Sequence, residues 1–278
     1  MKKIAFVTYA ANPAITPDDN LTAEALRRMG YIVESAVWND PAVAWQAFDL
    51  VVIRSPWDYH HQPDAFLTWL DRLEALGVRV ENALPLLRWN AHKTYLRDLE
   101  GCGIPIIPTV WVKQGEPVPA LTAVWGEPDE VVVKPTISAS AYLTERLRVE
   151  ALSGFTALVD VMIQPFVREI TVVGEWSLLY FDGRYSHAVK KYPQAGDFRV
   201  QSEFGGKVSL ETPTPALLEQ VQAILDSLDT TPLYARVDGV EVDGRFLLME
   251  LELIEPSLFL RAAADAPQRF AEAIAARV

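Results

Sequence analysis

Residues 234–260 read YARVDGVEVDGRFLLMELELIEPSLFL, two strands turning at Asp243 and Gly244. Alternation along the second strand puts Leu247, Met249, Leu251 and Leu253 on one face and Glu250 and Glu252 on the other. Two acids side by side against a buried sheet face raise each other's pKa unless a cation sits between them. A divalent metal is the economical reading, and oxygen donors suit Mg2+ better than zinc. The bland alternative is the solvated outer face of an edge hairpin. The turn decides whether Asp238 joins the acids. A two-residue loop would leave it on the apolar face. A three-residue loop, Val242 to Gly244 with a G1 bulge, puts it diagonal to Glu250 with Arg236 directly opposite Glu250. We expect the three-residue loop, which gathers Arg236, Asp238, Glu250 and Glu252 into one polar patch.

The chain around this hairpin has 278 residues, half of them hydrophobic, enough for two modest domains or one large one. No apolar run is long enough to span a membrane, so a soluble globular protein is expected. The opening MKKIAFVTYAA is broken at Asn12 and Pro13 and reads as a first strand rather than a signal peptide. A single cysteine, Cys102, excludes an internal disulfide framework and fits a reducing, cytoplasmic setting. A net charge of −12 disfavours nonspecific nucleic-acid or anionic-membrane partners.

Residues 1–87 alternate strand and helix: IAFVTYA, a helix from about Asp19 to Met29, YIVESAVW, LVVIRS, a helix from about Pro63 to Leu76, then VRVEN. This is a small parallel α/β sheet, whose ligands bind beyond the carboxyl ends of the strands. The first loop lacks GxGxxG, which argues against a dinucleotide site. The loop RSPWDYHH brings Arg54, Trp57 and Asp58 together as a candidate substrate-binding cluster. Arg54 is suited to fork onto a carboxylate, a surface pair with Asp58 being the alternative. His60 and His61 read as solvated loop residues.

Pro85 to Trp89 reads as the boundary, followed by a short helix, AHKTYLRDLE, with Lys93 in its first turns. A cation there opposes the helix dipole and points to a ligand phosphate. Lys134 ends the strand EVVVKP and is followed by the small-residue loop TISASA, a pattern that suits phosphate binding. The strand VDVMIQPFV runs into Gln164, Phe166 and Val167 around a proline, leaving backbone groups free for the edge of a planar base. A hairpin, EWSLLYFDGRYSHAVKK, turns at Asp182 and Gly183. With the following GDFRVQSEFGG it supplies Glu175, Lys190 and Arg199 as usable charges. Helices from about Pro215 to Leu228 and over PQRFAEAIAARV complete the chain.

In this order the signals resemble the ATP-grasp fold of carboxylate ligases: lysine in a short helix, lysine at a strand end, an apolar hinge, a charged hairpin, R-x-D, then E-x-E. The resemblance spans nearly the whole chain. It implies an α/β protein with an N-terminal parallel pre-ATP-grasp domain (1–87) and an ATP-grasp domain (88–278) of two α+β lobes (88–165 and 166–278) gripping ATP. It implies Lys93 and Lys134 on the ATP phosphates, Gln164, Phe166 and Val167 at the adenine, and Glu175, or else Glu169, at the ribose. Asp238, Glu250 and Glu252 would hold Mg2+. Arg236, Arg199 and Lys190 would serve as the catalytic cations. Two features depart from the superfamily: Glu252 stands where Asn is common, and the loop after Lys134 contains no glycine.

Within the superfamily the stretches ITPDDNLTAEALRRMGY, DLVVIRSPWDYH, GEWSLLYFDGRYSHAVKKYPQAGDFRVQSEFGG and MELELIEPSLFL most resemble the D-cycloserine-forming ligases, which activate the carboxylate of O-ureido-D-serine and close a ring. The implied reaction joins a small amino-acid-like carboxylate to an amine through an acyl phosphate at the expense of ATP. Such phosphoryl transfer needs positioning and charge neutralisation but no protein nucleophile. The alternatives are a ligase acting on a peptide or protein terminus and a nucleotide-binding protein without turnover. Small molecules are the expected partners, and a homodimer is left open.

Overall fold

The apolar runs that open the chain form a parallel sheet. In a computed structural model, which describes residues 1–121, 125, 128–139, 142–194 and 205–278, β1 (Lys3–Thr8), β2 (Ile32–Val37), β3 (Leu50–Ile53) and β4 (Val80–Glu81) lie in the order β2-β1-β3-β4. Parallel neighbours need crossover segments. Helix α1 (Asp19–Arg28) joins β1 to β2, and its Asp19 N–H donates to Thr16 Oγ1 at 3.1 Å just ahead of the helix. Helix α2 (Pro63–Ala75) follows β3, with proline in the first turn where no helical hydrogen bond is lost. One face of the sheet buries Phe66, Trp69 and Leu70 of α2 against Val51 and Ile53. The other face is closed by α1 and by the last helix of the chain, Ala266–Ala275. Phe270 and Ile274 of that helix share a core with Ile4, Phe6, Leu26 and Leu50. The N-terminal sheet is therefore completed by residues from the far end of the chain.

The stretch read as a boundary is helical: α3 (Leu84–Asn90) takes Pro85 in its first turn. Lys93, read as sitting inside a helix, precedes one. Its N–H donates to the Thr136 carbonyl at 2.7 Å, and α4 spans Tyr95–Gly101. Strands β5 (Val110–Val112), β6 (Glu130–Pro135), β7 (Glu145–Arg148) and β8 (Val161–Pro165) form an antiparallel sheet in the order β5-β8-β6-β7. After a short turn of helix, α5 (Glu169–Val172), a second antiparallel sheet contains β9 (Glu175–Phe181), β10 (Arg184–Tyr192), β11 (Lys207–Glu211), β12 (Tyr234–Val242) and β13 (Arg245–Glu252). Its order is β11-β10-β9-β12-β13. Helix α6 (Pro215–Asp226), capped by Thr214 Oγ1 accepting from the Leu217 N–H, packs Val221 and Ile224 on its back. The final helix is α7. No described helix is long and apolar enough to cross a membrane.

The β12–β13 hairpin differs from the expected loop. Val242 pairs with Arg245, so only Asp243 and Gly244 form the turn, both at positive φ (50° and 75°), as a type I′ turn requires. The extra residue lies further along. Asp238 pairs with Glu250 and Gly239 with Leu248, which leaves Met249 as a bulge. Asp238 is therefore directly opposite Glu250, and Arg236 opposite Glu252. The bulge also breaks the single alternation read from the sequence. Phe246 and Leu248 share the core face with Leu251 and Leu253, whereas Leu247 and Met249 pack on the other side with Ile107, Ile170 and Val240. Gly239 makes the bulge possible, since a Cβ there would lie 2.3 Å from the Phe246 ring and 2.5 Å from the Leu247 carbonyl.

Candidate active site

The two antiparallel sheets and the loops of the N-terminal unit enclose a cavity of about 760 Å³. Its charged wall is the bulged hairpin. Glu250 receives Lys93 at 3.0 Å and Lys134 at 3.1 Å, the first from the turn before α4 and the second from the end of β6. Burial pulls the Glu250 carboxyl up, but the two ammonium groups outweigh it and hold the carboxyl well below the usual range. Arg236 forks onto Asp238 with bonds of 2.8 to 3.0 Å and also contacts Glu252. Asp238 further accepts from Ser177 Oγ and lies 3.5 Å from Lys191. Burial raises Asp238, yet Arg236 and then Lys191 leave it lowered. Burial pushes Glu252 up to about 7, Arg236 pulling against it and Asp238 and Glu250 with it.

The far edge of β13 is fastened by side chains instead of a strand. Asn90 donates to the Leu251 carbonyl at 2.8 Å and accepts from the Leu253 N–H at 3.0 Å, and Tyr95 Oη accepts from the Leu251 N–H at 2.9 Å. The two glutamates consequently stand on a rigid strand.

The apolar part of the cavity is lined by Val167, Ile170, Ile107 and Met249 beside Gln164 and Phe166. Gln164 is buried and donates to Thr109 Oγ1 at 2.9 Å, and the Phe166 N–H donates to the Glu130 carbonyl. The Arg146 guanidinium lies 3.6 Å over the Phe166 ring. Glu175, at the start of β9, also faces the cavity, in contact with Lys191.

Trp57 and Asp58 line the N-terminal side, and Trp38 Nε1 donates to Asp58 at 2.7 Å. His60 and His61, read as solvated, lie beside Tyr142 with ring centroids 5.3 and 4.9 Å away. Burial and the neighbouring His61 lower His60 to about 4.

Some of the expected residues are not brought here. Arg54 is buried outside the cavity wall, 2.9 Å from Asp19 and not paired with Asp58. Lys190 lies 4.4 Å over the Trp176 ring and is not on the wall, because a bulge at Ser186 shifts the β9–β10 ladder by one residue and turns Lys191 inward. Glu169 is not on the wall, and Arg199 lies outside the described residues. Sequence reading passed over Lys191, Glu255 and Asn90. The Lys190–Lys191 pair was the available signal for the first, since in a strand one of two neighbours faces each side.

Among the described residues no group of three or more His, Cys, Asp or Glu is arranged to hold a metal by itself. Mg2+ nonetheless fits Glu250 and Glu252. Both carboxylates face the cavity with about a quarter of the side chain exposed (25% and 24%), and Mg2+ in nucleotide sites takes one or two carboxylates, completing its shell with phosphate and water. Asp238, filled by Arg236, Ser177 and Lys191, is the least available of the three acids. Four cations gathered on carboxylates in one cavity can exchange those partners for a polyanion.

Comparison with known proteins agrees with this architecture. Residues 4–82 match the family of N-terminal domains of D-cycloserine synthetase DcsG. Over 99% of its length the chain is 34% identical to the cycloserine biosynthesis protein DcsG of Streptomyces lavendulae, of which 98% is covered. The crystal structure of D-cycloserine synthetase DcsG is similar with a TM-score of 0.85 at 32% identity, covering 99% of both chains. D-alanine–D-alanine ligase of Bacillus anthracis shares the fold, with a TM-score of 0.69 at 15% identity, over 99% of this chain and 95% of that one.

Proposed function

Since the chain belongs to the DcsG family of ATP-grasp ligases, we propose that it activates the carboxylate of O-ureido-D-serine or a close amino-acid relative and closes it onto a nitrogen of the same molecule. The enzyme is an ATP-dependent ligase joining carboxylate to amine. Its substrate, its Mg2+ and the residue roles below are our reading.

The observation that carries this reading is the convergence of Lys93 and Lys134, 41 residues apart in sequence by their numbers, on the single carboxylate of Glu250. Two ammonium groups so placed move onto the β- and γ-phosphates of ATP and leave Glu250 free, with Glu252, to hold Mg2+, with Asp238 as a third acid beside them. The metal would neutralise charge on the phosphates. Gln164, Phe166 and Val167 take the adenine, Glu175 the ribose, and the triphosphate lies along the lysines. Arg236 and Lys191, with Arg199, stabilise the phosphoryl group in transit. The substrate carboxylate oxygen attacks the γ-phosphorus as the bond to ADP breaks. The nitrogen then attacks the acyl carbon, phosphate leaves and the proton goes to solvent; with O-ureido-D-serine that nitrogen still carries its carbamoyl group, which water must cleave as CO2 and ammonia to leave D-cycloserine. Trp57 and Asp58 belong to the substrate side. In the same reading 1–87, 88–165 and 166–278 are the N-terminal unit and the two lobes, and the single cysteine supports a cytoplasmic place.

The test is ADP release with O-ureido-D-serine, with other small amino acids and with peptides, after binding of a non-hydrolysable ATP analogue with Mg2+ has been measured. We expect D-cycloserine and ADP in equal amounts. ADP release with peptides alone would replace the small-molecule reading, and analogue binding without ADP release would leave a nucleotide-binding protein.

A further inference from the structure

Three successive carbonyls after β13 are each clamped. Trp57 Nε1 donates to the Glu255 carbonyl at 3.2 Å, Arg54 to that of Pro256 at 2.7 Å and Arg236 to that of Ser257 at 3.1 Å. Rigid planar donors from the loop after β3 and from β12 thus immobilise a segment that has no regular structure of its own. A segment fixed in this way aims its side chains. The one it aims into the cavity with a charge to place is Glu255.

The other acids on the cavity wall already have partners. Asp58 receives Trp38, Glu175 contacts Lys191, Asp238 and Glu252 share Arg236, and Glu250 holds two lysines. The carboxyl of Glu255 has no hydrogen bond or ion pair among the described residues. Glu255 is half-buried, and a carboxylate partly withdrawn from water without a partner carries a cost that water in the cavity only partly offsets. A fold that pins one there leaves its cation to be supplied by the ligand. The same cavity is also lined by Trp57, which bonds the Glu255 carbonyl, and by Tyr9, whose ring lies 6.1 Å from that of Trp57; aromatic rings of this kind suit the short aliphatic frame of an amino acid and favour a cation near a ring face.

We infer that Glu255 is the specificity-determining residue for the ammonium group of the substrate, so that the acid this enzyme activates must carry a free amino group close to the reacting carboxylate. The inference rests on the ligase reading above and narrows its substrate class. Electrostatics agree with it. Burial first, and then Glu252, push the empty-cavity carboxyl up to about 8, with Lys93 and Arg236 opposing and Glu250 adding to the rise. An arriving ammonium reverses that and holds the carboxylate ionised, its proton passing to solvent.

The experiment compares O-ureido-D-serine with 3-(ureidooxy)propanoate, the same molecule with hydrogen in place of the ammonium, in the native enzyme, Glu255→Gln and Glu255→Asp. Binding of the ATP analogue with Mg2+ is measured first. We expect all three proteins to bind the analogue alike. The native enzyme should prefer the ammonium compound by about 100-fold in kcat/KM, with the preference in KM. Glu255→Gln should shrink that preference at least about tenfold through KM, and Glu255→Asp should retain part of it. An unchanged preference in Glu255→Gln, or equal native turnover of the two compounds, overturns the inference. So does nucleotide binding without ADP release from either compound or any other α-amino acid, which leaves the nucleotide site standing. A native protein that binds no nucleotide overturns the ligase reading itself, before Glu255 enters.

Discussion

Lys191 contacts the Glu175 carboxylate across the β9–β10 ladder, and both side chains are about nine-tenths buried (8% and 10% exposed). The same ammonium lies 3.5 Å from Asp238, so it separates two buried acids. Lys191→Met should leave those acids facing each other. Breaking a buried pair in this way costs about 3–5 kcal/mol, and we expect a large fall in Tm together with loss of ADP release. Lys190→Met should lose only its contact with Trp176, about 0.5–1 kcal/mol, and keep its turnover. Thermal unfolding and an ADP assay on the two variants separate the neighbours, and the reverse ranking would reject the assignment.

Glu250→Gln tests whether the lysines wait on this carboxylate for phosphate. If Glu250 holds Mg2+ as proposed, the variant lacks that ligand, and ATP-analogue binding with Mg2+ present should weaken about tenfold, or about 1.4 kcal/mol. In EDTA the two lysines are released from their anion, so the variant should bind the free nucleotide at least as well as the native protein. Calorimetry in both buffers gives the answer. An equal loss with and without Mg2+ would mean that Glu250 supports the site without touching the metal.

Gly239→Ala probes the bulge that assembles the acids. The new methyl would meet the Phe246 ring and the Leu247 carbonyl, and one of those contacts is with backbone that cannot swing aside. Overpacking of this kind costs typically about 1–3 kcal/mol. A domain of this size loses roughly 2–4 °C of Tm for each kcal/mol. Because the strain falls beside the Asp238–Glu250 pair, nucleotide affinity should fall with it. An alanine variant with native Tm would show that the hairpin relaxes freely.

That bulge also marks the limit of what the sequence discloses. The alternation around β1, β3 and α1 and the turns at Asp182–Gly183 and Asp243–Gly244 are local signals, and the strands and helices they announce are present. The union of Arg236, Asp238, Glu250 and Glu252 was legible from the same local pattern. Its mechanism was not, because a single inserted residue at Met249 or Ser186 has no signature of its own, Gly239 on the strand facing Met249 being a signal that does not say which residue is inserted, and it inverts every later side chain. Arg54 failed for another reason. Its partners, Asp19 and the Pro256 carbonyl, lie 35 and 202 residues away, and only the packing of the last segment against the first sheet brings them together. Glu255 stayed hidden because its feature is the absence of a partner, which is a property of the folded cavity.

Glu255 also predicts a cost in the ligand-free enzyme that depends on pH. Its carboxyl is raised from an ordinary 4.5 to about 8, by burial first and then by Glu252. Between these values the folded protein keeps a proton that the unfolded chain has released. Stability therefore falls as pH rises through that window, since the native state binds more protons than the unfolded one. Below 4.5 the residue contributes no penalty, and above 8 the full penalty is present. Glu255→Gln has no proton to hold. Its Tm should match that of the native protein near pH 4.5 and exceed it increasingly up to pH 8. Water in the cavity screens the carboxyl, so the gain is put at about 1 kcal/mol, or roughly 2–4 °C. The charges facing it, Glu250, Glu252, Lys93 and Arg236, are common to both proteins, so their own titration cancels to first order in the difference. Thermal melts in EDTA from pH 4.5 to 8 measure it. A difference that is flat with pH, or that shrinks as pH rises, would place Glu255 in water, with its charge already satisfied by solvent.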